Sequence, residues 1–233
     1  MKTEKCKIDI HSHILPNMDD GASSEEESLN LISELSKQGI TAIAATPHFY
    51  ADRDNPSEFF DRRKNAGSLI ADKLDKDITV LLGAEVYYYQ GISRTERLSE
   101  FTIDSTNLFL LEMPFCDWTA SMINEVYSIQ RDRNLQVVIA HIDRYISRKN
   151  LKLVEDMLDF GIMFQINASA FLDKKQKNNA LNMLKNRMVH FIASDCHNMT
   201  ARPPKLSEAY EVIEKKLGSG YLKWLEQQSQ EYF

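Results

Sequence analysis

The amino-acid sequence predicts an α/β protein whose parallel strands close into a barrel, and three observations support this fold class. Apolar β-like runs alternate with amphipathic stretches almost to the end of the 233-residue chain. The runs are nearly continuous in hydrophobic residues, which is typical of parallel strands covered on both faces. Each run ends in a polar residue suited to metal binding or catalysis, and a barrel gathers the carboxyl ends of its strands around one opening. An open doubly wound sheet would collect the same ends along a crevice, and we prefer the closed barrel.

Seven strands are predicted from the apolar runs, with helices between most of them. The strands are expected at Lys7 to His11, Thr41 to His48, Ile78 to Glu85, Leu108 to Glu112, Gln136 to His141, Ile162 to Asn167 and Val189 to Asp195. A capping box at Ser24 to Glu27 predicts a helix that ends near Gly39. Further helices are expected at Pro56 to Lys76, Ala120 to Asn134, Leu151 to Phe160 and Gln176 to Arg187. The charged stretch from Leu206 to Phe233 is expected to form an amphipathic helical closure and is a candidate surface for homo-oligomer contacts.

Composition and charge limit the classes of function. No repeat, low-complexity run or linker marks a boundary, so residues 1–233 are predicted to form a single domain. A net charge of −6 argues against a broad phosphate-backbone footprint, and therefore against nucleic acid as a partner. The N-terminus has no apolar signal-peptide core and no run is long enough to span a bilayer, so we expect a cytoplasmic protein without membrane insertion. The three cysteines have no C-x-x-C spacing, which fits reduced thiols.

The first predicted strand ends in His11-Ser12-His13, and the functional prediction starts from this motif. Residues two apart on a strand point to the same face, so both imidazoles can reach one ion. Alone the motif is weak, because one histidine could pack in the core while the other faces solvent. The other strand ends strengthen it, since five of the six histidines lie at such ends. With one carboxylate from the acidic turn, the candidate metal ligands are His11, His13, Asp20, His48, Glu85, Glu112, His141, Asp195 and His197.

This ligand set predicts a multinuclear centre. One ion takes roughly four to six ligands, so the set is too large for one metal and fits two or three. Glu85 is a natural bridge between ions. Nitrogen and oxygen donors without thiolate suit manganese, zinc or iron, and no residue is assigned to an organic cofactor. Three divalent ions bound by four carboxylates keep a net positive charge. Such a site favours hydrolysis of phosphate esters, because it can generate a nucleophile near neutral pH and hold the attacking and leaving oxygens.

Two arginines fit a phosphate substrate. Arg144 and Arg202 each follow a candidate ligand within a few residues, so both are expected in loops at the same mouth. A guanidinium can bind two phosphate oxygens at once, which an ammonium cannot. For either arginine alone, a solvated surface charge is an equally good interpretation. Their position in the ligand loops favours phosphate binding.

A competing prediction comes from Cys196 to Arg202, which has the C-x5-R spacing of thiol-dependent tyrosine phosphatases. Such enzymes need a thiolate of low pKa and a loop whose backbone amides surround the phosphate. Here Asp195 precedes the cysteine and would raise the pKa of its thiol. The loop has no glycine, and Pro203 and Pro204 remove amide donors where a helix should begin. Chance spacing is the preferred explanation.

The motifs of the chain, taken together, resemble those of a known family. The segments IDIHSH with DDG, ATPHF, GAEVYY, LLEMPF, AHIDRY and ASDCHN followed by ARPP are similar to the motif series of the PHP (polymerase and histidinol phosphatase) superfamily. They most resemble its bacterial capsule-type protein-tyrosine phosphatases, in order and at similar spacing from Ile8 to about Pro204. The resemblance implies a distorted (β/α)7 TIM-like barrel of the PHP type and a trinuclear site usually supplied with Mn2+. It also implies hydrolysis of phosphotyrosine on a partner tyrosine kinase that controls exopolysaccharide export.

The resemblance also implies a role for each site residue. By position, one ion would be held by His11, His13, Glu85 and Asp195, a second by Glu85, Glu112 and His141, and a third by Asp20, His48 and His197. Arg144 and Arg202 match the phosphate-binding arginines of the family. We therefore expect direct attack on phosphorus by a metal-bridging hydroxide, without a covalent enzyme intermediate.

Other interpretations stay open. A PHP phosphatase acting on a small ester such as histidinol phosphate would turn over that ester and little phosphopeptide. A non-catalytic regulator would bind metal tightly without turnover. An amidohydrolase is conceivable from the first histidine motif, but the arginine pair and the lack of an obvious bridging lysine count against it. Tyr87, Tyr88 and Tyr89 could stack on a substrate ring, although local packing is favoured, and His190 is expected to be structural.

Overall fold

A computed structural model describes residues 7–146 and 150–233. These residues form nine strands, which are β1 (Ile8–Ser12), β2 (Ala42–Ala45), β3 (His48–Phe49), β4 (Thr79–Leu82), β5 (Glu85–Tyr87), β6 (Leu108–Glu112), β7 (Gln136–Ile139), β8 (Met163–Asn167) and β9 (Phe191–Ala193). They also form seven α-helices, which are α1 (Glu25–Lys37), α2 (Pro56–Ala71), α3 (Ala120–Arg133), α4 (Leu151–Asp159), α5 (Lys177–Lys185), α6 (Leu206–Leu217) and α7 (Ser219–Gln230).

The strands form a curled, parallel sheet that runs from β1 round to β9. A three-stranded part has the order β1-β2-β4, and a six-stranded part has the order β3-β5-β6-β7-β8-β9. The two ends meet where Asp195 N donates to His11 O at 2.9 Å and His13 N donates to Cys196 O at 2.9 Å. These bonds bring the last strand end beside the first, and the predicted distorted TIM-like barrel is confirmed.

Two of the seven predicted strands are interrupted. The run from Thr41 to His48 becomes β2 and β3, and the run from Ile78 to Glu85 becomes β4 and β5. Pro47 has no N–H for a ladder. A Cβ on Gly83 would lie 3.1 Å from Ile103 Cγ1 and 3.2 Å from Thr46 Cγ2, so the chain at Gly83 packs closely against these two side chains. The interruption leaves His48 and Glu85 as register partners at the start of β3 and β5.

Alternate residues of the strands pack into two separate cores. In β6, Phe109 and Leu111 join the larger core with the helices, whereas Leu108 and Leu110 join a second core. The second core draws most of its other residues from β1, β2, β7 and β9, and Ile103 and Ala140 complete it. Because side chains alternate across a strand, this division places apolar side chains on both faces of the sheet.

The helices largely follow the predicted positions. Ser24 caps α1, its side chain accepting from Glu27 N at 3.1 Å. Helix α2 is shorter than predicted: it ends at Ala71, where a turn closes with Lys73 N donating to Ile70 O at 3.0 Å. The C-terminal helical closure is two helices, because Gly218 has a φ of 93° between them. None of the helices in the described parts of the chain is long and apolar enough to cross a membrane.

Candidate metal centre

All nine predicted ligands lie around one opening at the carboxyl ends of the strands. The loop after β1 carries Asp20, which is exposed, and His48 is half-buried at the start of β3. The other seven are buried, and they are His11, His13, Glu85, Glu112, His141, Asp195 and His197. The barrel therefore brings together side chains separated by up to 186 positions, from His11 to His197.

Glu85 lies at the centre of the cluster. Its Oε2 atom is 3.2 Å from His11 Nε2, 3.3 Å from His13 Nε2 and 3.0 Å from His48 Nδ1. Its Oε1 atom is 2.8 Å from His141 Nε2. One carboxylate thus faces four imidazoles, which is the arrangement expected of a bridging ligand.

The ligand atoms fall into three overlapping groups whose members lie within 4.8 Å of one another. The groups are His13 with Asp20, His48 and His197; His11 with His13 and Asp195; and His48 with Glu85 and Glu112. This grouping differs in part from the one implied by the resemblance, since His13 and His48 each stand in two groups. His141 is in none of the three groups. Its Nε2 atom contacts Glu85 and lies 3.5 Å from Glu112 Oε1.

Several buried polar atoms of the cluster have no hydrogen-bond partner within the described residues. They are His48 Nδ1, Glu85 Oε2, His141 Nδ1 and His197 Nε2, and the 3.0 Å contact between the first two does not have the geometry of a hydrogen bond. A buried polar atom without a partner costs free energy unless something else binds it. Imidazole nitrogens and carboxylate oxygens are ligands for divalent transition metals, so the residues present fit bound metal ions.

The buried carboxylates Glu85, Glu112 and Asp195 have strongly shifted pKa values. Burial acts to raise the pKa of Glu85, but His11 and His48 hold it well below its usual range. Burial, and then the charge of Glu85, raises the pKa of Glu112 to about 7. Burial also acts to raise the pKa of Asp195, but His11 and His13 hold it well below its usual range. The protein thus concentrates opposite charges among buried side chains.

Two candidate ligands occupy the left-handed backbone region. His141 has a φ of 33° and Asp195 a φ of 49°. Residues with a side chain rarely adopt this conformation, and such strain is concentrated at functional sites. It turns the chain sharply at the ends of β7 and β9.

Two residues of the site were not predicted. Asp19 Oδ2 lies 2.7 Å from His13 Nδ1 and accepts from His48 N at 2.8 Å, so one carboxylate holds two candidate ligands. Gln165 Oε1 accepts from His141 N at 2.7 Å and lies 3.1 Å from His11 Nδ1. A glutamine inside an apolar strand was a usable signal in the sequence. Nothing local distinguishes Asp19 from its neighbour Asp20.

The two arginines lie beside each other at the opening, where both contact Asp195. Arg144 Nη2 is 2.6 Å and Arg202 Nη2 is 2.7 Å from Asp195 Oδ2. Asn167 Nδ2 donates to the same oxygen at 2.7 Å. The arginine side chains are 31% and 37% exposed, so part of each guanidinium faces solvent.

The C-x5-R alternative does not fit the structure. Cys196 is fully buried, and its side chain belongs to the apolar core. Burial, and then the charge of Asp9, raises the pKa of its thiol to about 12. A buried, protonated thiol cannot attack a phosphate ester.

Comparisons with known proteins agree with the fold and identify the family. A family model for capsular polysaccharide synthesis proteins, CpsB/CapC, matches residues 7–231. The tyrosine-protein phosphatase CpsB of Streptococcus agalactiae serotype III (strain NEM316) is 34% identical, with 91% of each chain covered. The tyrosine-protein phosphatase YwqE of Bacillus subtilis (strain 168) is 32% identical, with 91% of this chain and 85% of YwqE covered.

A solved structure of the same family also matches this chain. Crystal structures of YwqE from Bacillus subtilis and CpsB from Streptococcus pneumoniae, described as metal-dependent tyrosine phosphatases, include a chain that superposes with a TM-score of 0.83. That chain is 28% identical, and the match covers 96% of this chain and 93% of that one. This chain therefore belongs to the CpsB/CapC family of capsular polysaccharide synthesis proteins.

Proposed function

We propose that this protein is a metal-dependent protein-tyrosine phosphatase. The observation that carries the proposal is the convergence of five imidazoles and four carboxylates on one opening, with two arginines at its edge. Members of the family with about a third of their residues identical are named tyrosine-protein phosphatases. The enzyme class is thus phosphoric monoester hydrolase.

The proposed metal ligands are the nine predicted side chains, and the proposed ions are two or three Mn2+. The donor set also accommodates Zn2+ or Fe. Bound divalent ions would supply a water-derived nucleophile near neutral pH and offset the negative charge of the phosphate. Asp19 and Gln165 orient the imidazoles of His13 and His11 through hydrogen bonds to their second ring nitrogens.

Arg144 and Arg202 are the proposed phosphate-binding residues. Each has one nitrogen on Asp195 and a partly exposed guanidinium at the mouth. Asp195 therefore fixes both side chains before substrate arrives, and this preorganisation reduces the reorganisation needed in the transition state. Their charges would stabilise the equatorial phosphoryl oxygens as the ester bond breaks. The phenolate leaving group has a pKa of about 10, so no strong general acid is required.

The proposed substrate is a phosphotyrosine protein, namely a bacterial tyrosine kinase of polysaccharide export. The family supports this choice, since its model describes capsular polysaccharide synthesis proteins. The kinase identity rests on this membership alone. The proposed substrate can be tested by incubating the protein with an autophosphorylated kinase of this class and following the loss of phosphotyrosine.

The decisive experiment measures hydrolysis of a phosphotyrosine peptide by metal-stripped protein, with and without added Mn2+. We expect negligible activity without metal and recovery with it, and the same recovery in Cys196→Ser. Histidinol phosphate, assayed in parallel, should be a poor substrate. Activity that needs no metal and is lost in Cys196→Ser would overturn the mechanism. Efficient turnover of histidinol phosphate alone would favour the small-molecule phosphatase, and metal binding without any turnover would favour the regulator.

A further inference from the structure

A cleft lined by tyrosine rings leads away from the candidate metal centre. It has a volume of about 410 Å3, and its walls include Tyr50, Arg53 and Tyr87. A second depression of about 340 Å3 shares Tyr50 and Arg53 and reaches Asp20 and His48. The two depressions therefore adjoin, and together they connect two candidate ligands with the protein surface.

The rings in the cleft form a continuous series that begins at a candidate ligand. The ring centroids of His48 and Tyr50 are 5.2 Å apart, and those of Tyr50 and Tyr87 are 5.6 Å apart. These spacings are those of rings in direct contact, so a third ring cannot enter between them. Tyr50 and Tyr87 are only half-buried, which leaves part of each ring free to contact a ligand in the cleft.

The neighbouring tyrosines are already engaged elsewhere. Tyr88 donates from its hydroxyl to Glu125 Oε2 at 3.0 Å, and the Tyr89 hydroxyl lies 2.5 Å from Thr95 Oγ1. Arg53 lies over the Tyr50 ring, with its guanidinium carbon 4.8 Å from the centroid. This cation–π contact stabilises the Tyr50 ring in its position beside His48.

The chemistry of a phosphotyrosine explains such a placement. Its phenyl ring is joined to the phosphate by a single oxygen, so a phosphate held at the ligands puts the ring just outside them. Tyr50 contacts His48 on that edge, and Tyr87 continues the surface outward. An aryl ester can lay its ring on these side chains, whereas a short alkyl ester has no ring to place there.

We propose that Tyr50 and Tyr87 form a platform for the phenyl ring of the substrate and thereby select aryl over alkyl phosphate esters. The inference rests on the proposed phosphatase function, because that function puts the phosphate at the ligands. The tyrosine platform is separate from the metal ligands and the two arginines. It is a determinant of specificity, so its loss should change binding of the ring more than chemistry at phosphorus.

The test compares ligands with and without a ring on the full chain supplied with Mn2+. Binding of phenylphosphonate and of methylphosphonate, neither of which is hydrolysed, is measured by titration calorimetry. KM and kcat are measured for phenyl phosphate and ethyl phosphate. The variants are Tyr87→Leu and Tyr50→Leu, which remove a ring, and Tyr87→Phe, which keeps it. Tyr127→Leu is a matched control, because Tyr127 stacks on Phe160 with centroids 4.1 Å apart, outside the cleft.

We expect each leucine variant to weaken phenylphosphonate binding and raise KM for phenyl phosphate by about three- to tenfold. Methylphosphonate binding and KM for ethyl phosphate should change less than about twofold, within the scatter of a surface substitution. Tyr87→Phe and Tyr127→Leu should resemble the unaltered protein. Equal losses for both kinds of ligand, or no loss in either leucine variant, would overturn the platform. Ring-dependent phosphonate binding without any turnover would instead reject the phosphatase function and leave the platform standing.

Discussion

At the scale of single residues, the site consists of buried polar side chains that are held by other polar side chains. His13 illustrates this: one ring nitrogen faces Glu85, and the other lies 2.7 Å from Asp19. A histidine held at both nitrogens has one orientation and one tautomer, which prepares it to bind metal. Asp19 is therefore a positioning residue for the proposed centre.

Replacing this carboxylate tests its role. We expect Asp19→Asn to weaken metal affinity by about 10- to 100-fold, because the amide has no negative charge to face His13 and its NH2 group would meet the Gly21 N–H that Asp19 Oδ1 accepts. The measurement is Mn2+ titration of the metal-stripped protein. Asp52→Asn is the control, since Asp52 is exposed. Unchanged affinity in Asp19→Asn would show that His13 needs no such support.

The arginines allow a second test at this scale. Arg144→Lys and Arg202→Lys keep the charge but lose the planar fork, so we expect kcat/KM for a phosphotyrosine peptide to fall about 10- to 100-fold. Bound metal, measured by elemental analysis, should be unchanged. Arg133→Lys serves as control, because Arg133 is exposed and donates from Nε to the Ser93 carbonyl at 3.0 Å. Loss of metal in the arginine variants would assign them to the metal centre instead.

At the scale of elements, the site depends on sharp turns at the strand ends. The turn after β1 folds back so that Ala22 N donates to His13 O at 3.0 Å. Gly21 lies against His13 in this turn, and a Cβ there would be only 2.5 Å from His13 Cβ and 2.9 Å from Asp19 Oδ1. The turn holds Asp19 and Asp20 over the opening only because this residue has no side chain.

We therefore expect Gly21→Ala to lower both metal affinity and stability, since the acidic turn must move away from His13. A destabilisation of about 1–3 kcal/mol is typical of such overpacking, measured by urea unfolding. Gly220→Ala is the matched control: nothing lies within 4 Å of a Cβ there, and the residue is in helix α7. That variant should be neutral or more stable by up to about 1 kcal/mol. Equal behaviour of the two variants would contradict the close-packed turn.

His190 gives the pairing of β8 and β9 a pH dependence. Its Nδ1 atom accepts from Phe164 N at 3.0 Å, and burial lowers its pKa to about 4. In the unfolded chain its pKa returns to about 6.5, so the unfolded state binds more protons between these values and stability falls as pH drops through this window. Its expected structural role fits this contact.

We expect the free energy of unfolding to lose about 2 kcal/mol between pH 7 and pH 5 through His190 alone. His190→Asn keeps an acceptor for Phe164 N but cannot titrate, so its loss over this interval should be smaller by that amount. Urea unfolding with chelator present, at both pH values, measures the difference, because all other histidines are common to both proteins. Identical losses would show that His190 is accessible to protons in the folded state.

At the scale of the whole molecule, the candidate ligands connect strands from all round the barrel. They lie at the ends of β1, β6, β7 and β9 and at the starts of β3 and β5. An ion bound there would link elements distant in sequence, and it would bind the folded state alone. The single domain over residues 1–233, the cytoplasmic location and the homo-oligomer contacts stay predictions.

We expect chelation to lower the melting temperature by roughly 5–15 °C, because a saturating ligand stabilises by about 3–4 kcal/mol at 100 to 1,000 times its Kd. Added Mn2+ should restore it. Glu85→Gln, which loses the central carboxylate, should melt at a temperature that neither chelator nor Mn2+ changes. Thermal unfolding followed by circular dichroism makes the measurement, and a melting temperature of unaltered protein independent of metal would contradict a bound ion.

The sequence by itself predicted the order of the strands, the family, and the nine candidate ligands with the two arginines. Apolar runs and the polar residue after each are local patterns, and in a parallel barrel all such ends meet on one face. Only the tertiary structure decided which groups touch. In the folded chain Glu85 lies among four imidazoles, and Asp19, not its neighbour Asp20, contacts His13 Nδ1. Cys196 is buried, so its C-x5-R spacing has no chemical consequence. The physical reason is that distances across the opening depend on barrel closure and sharp turns, and a local sequence pattern contains neither.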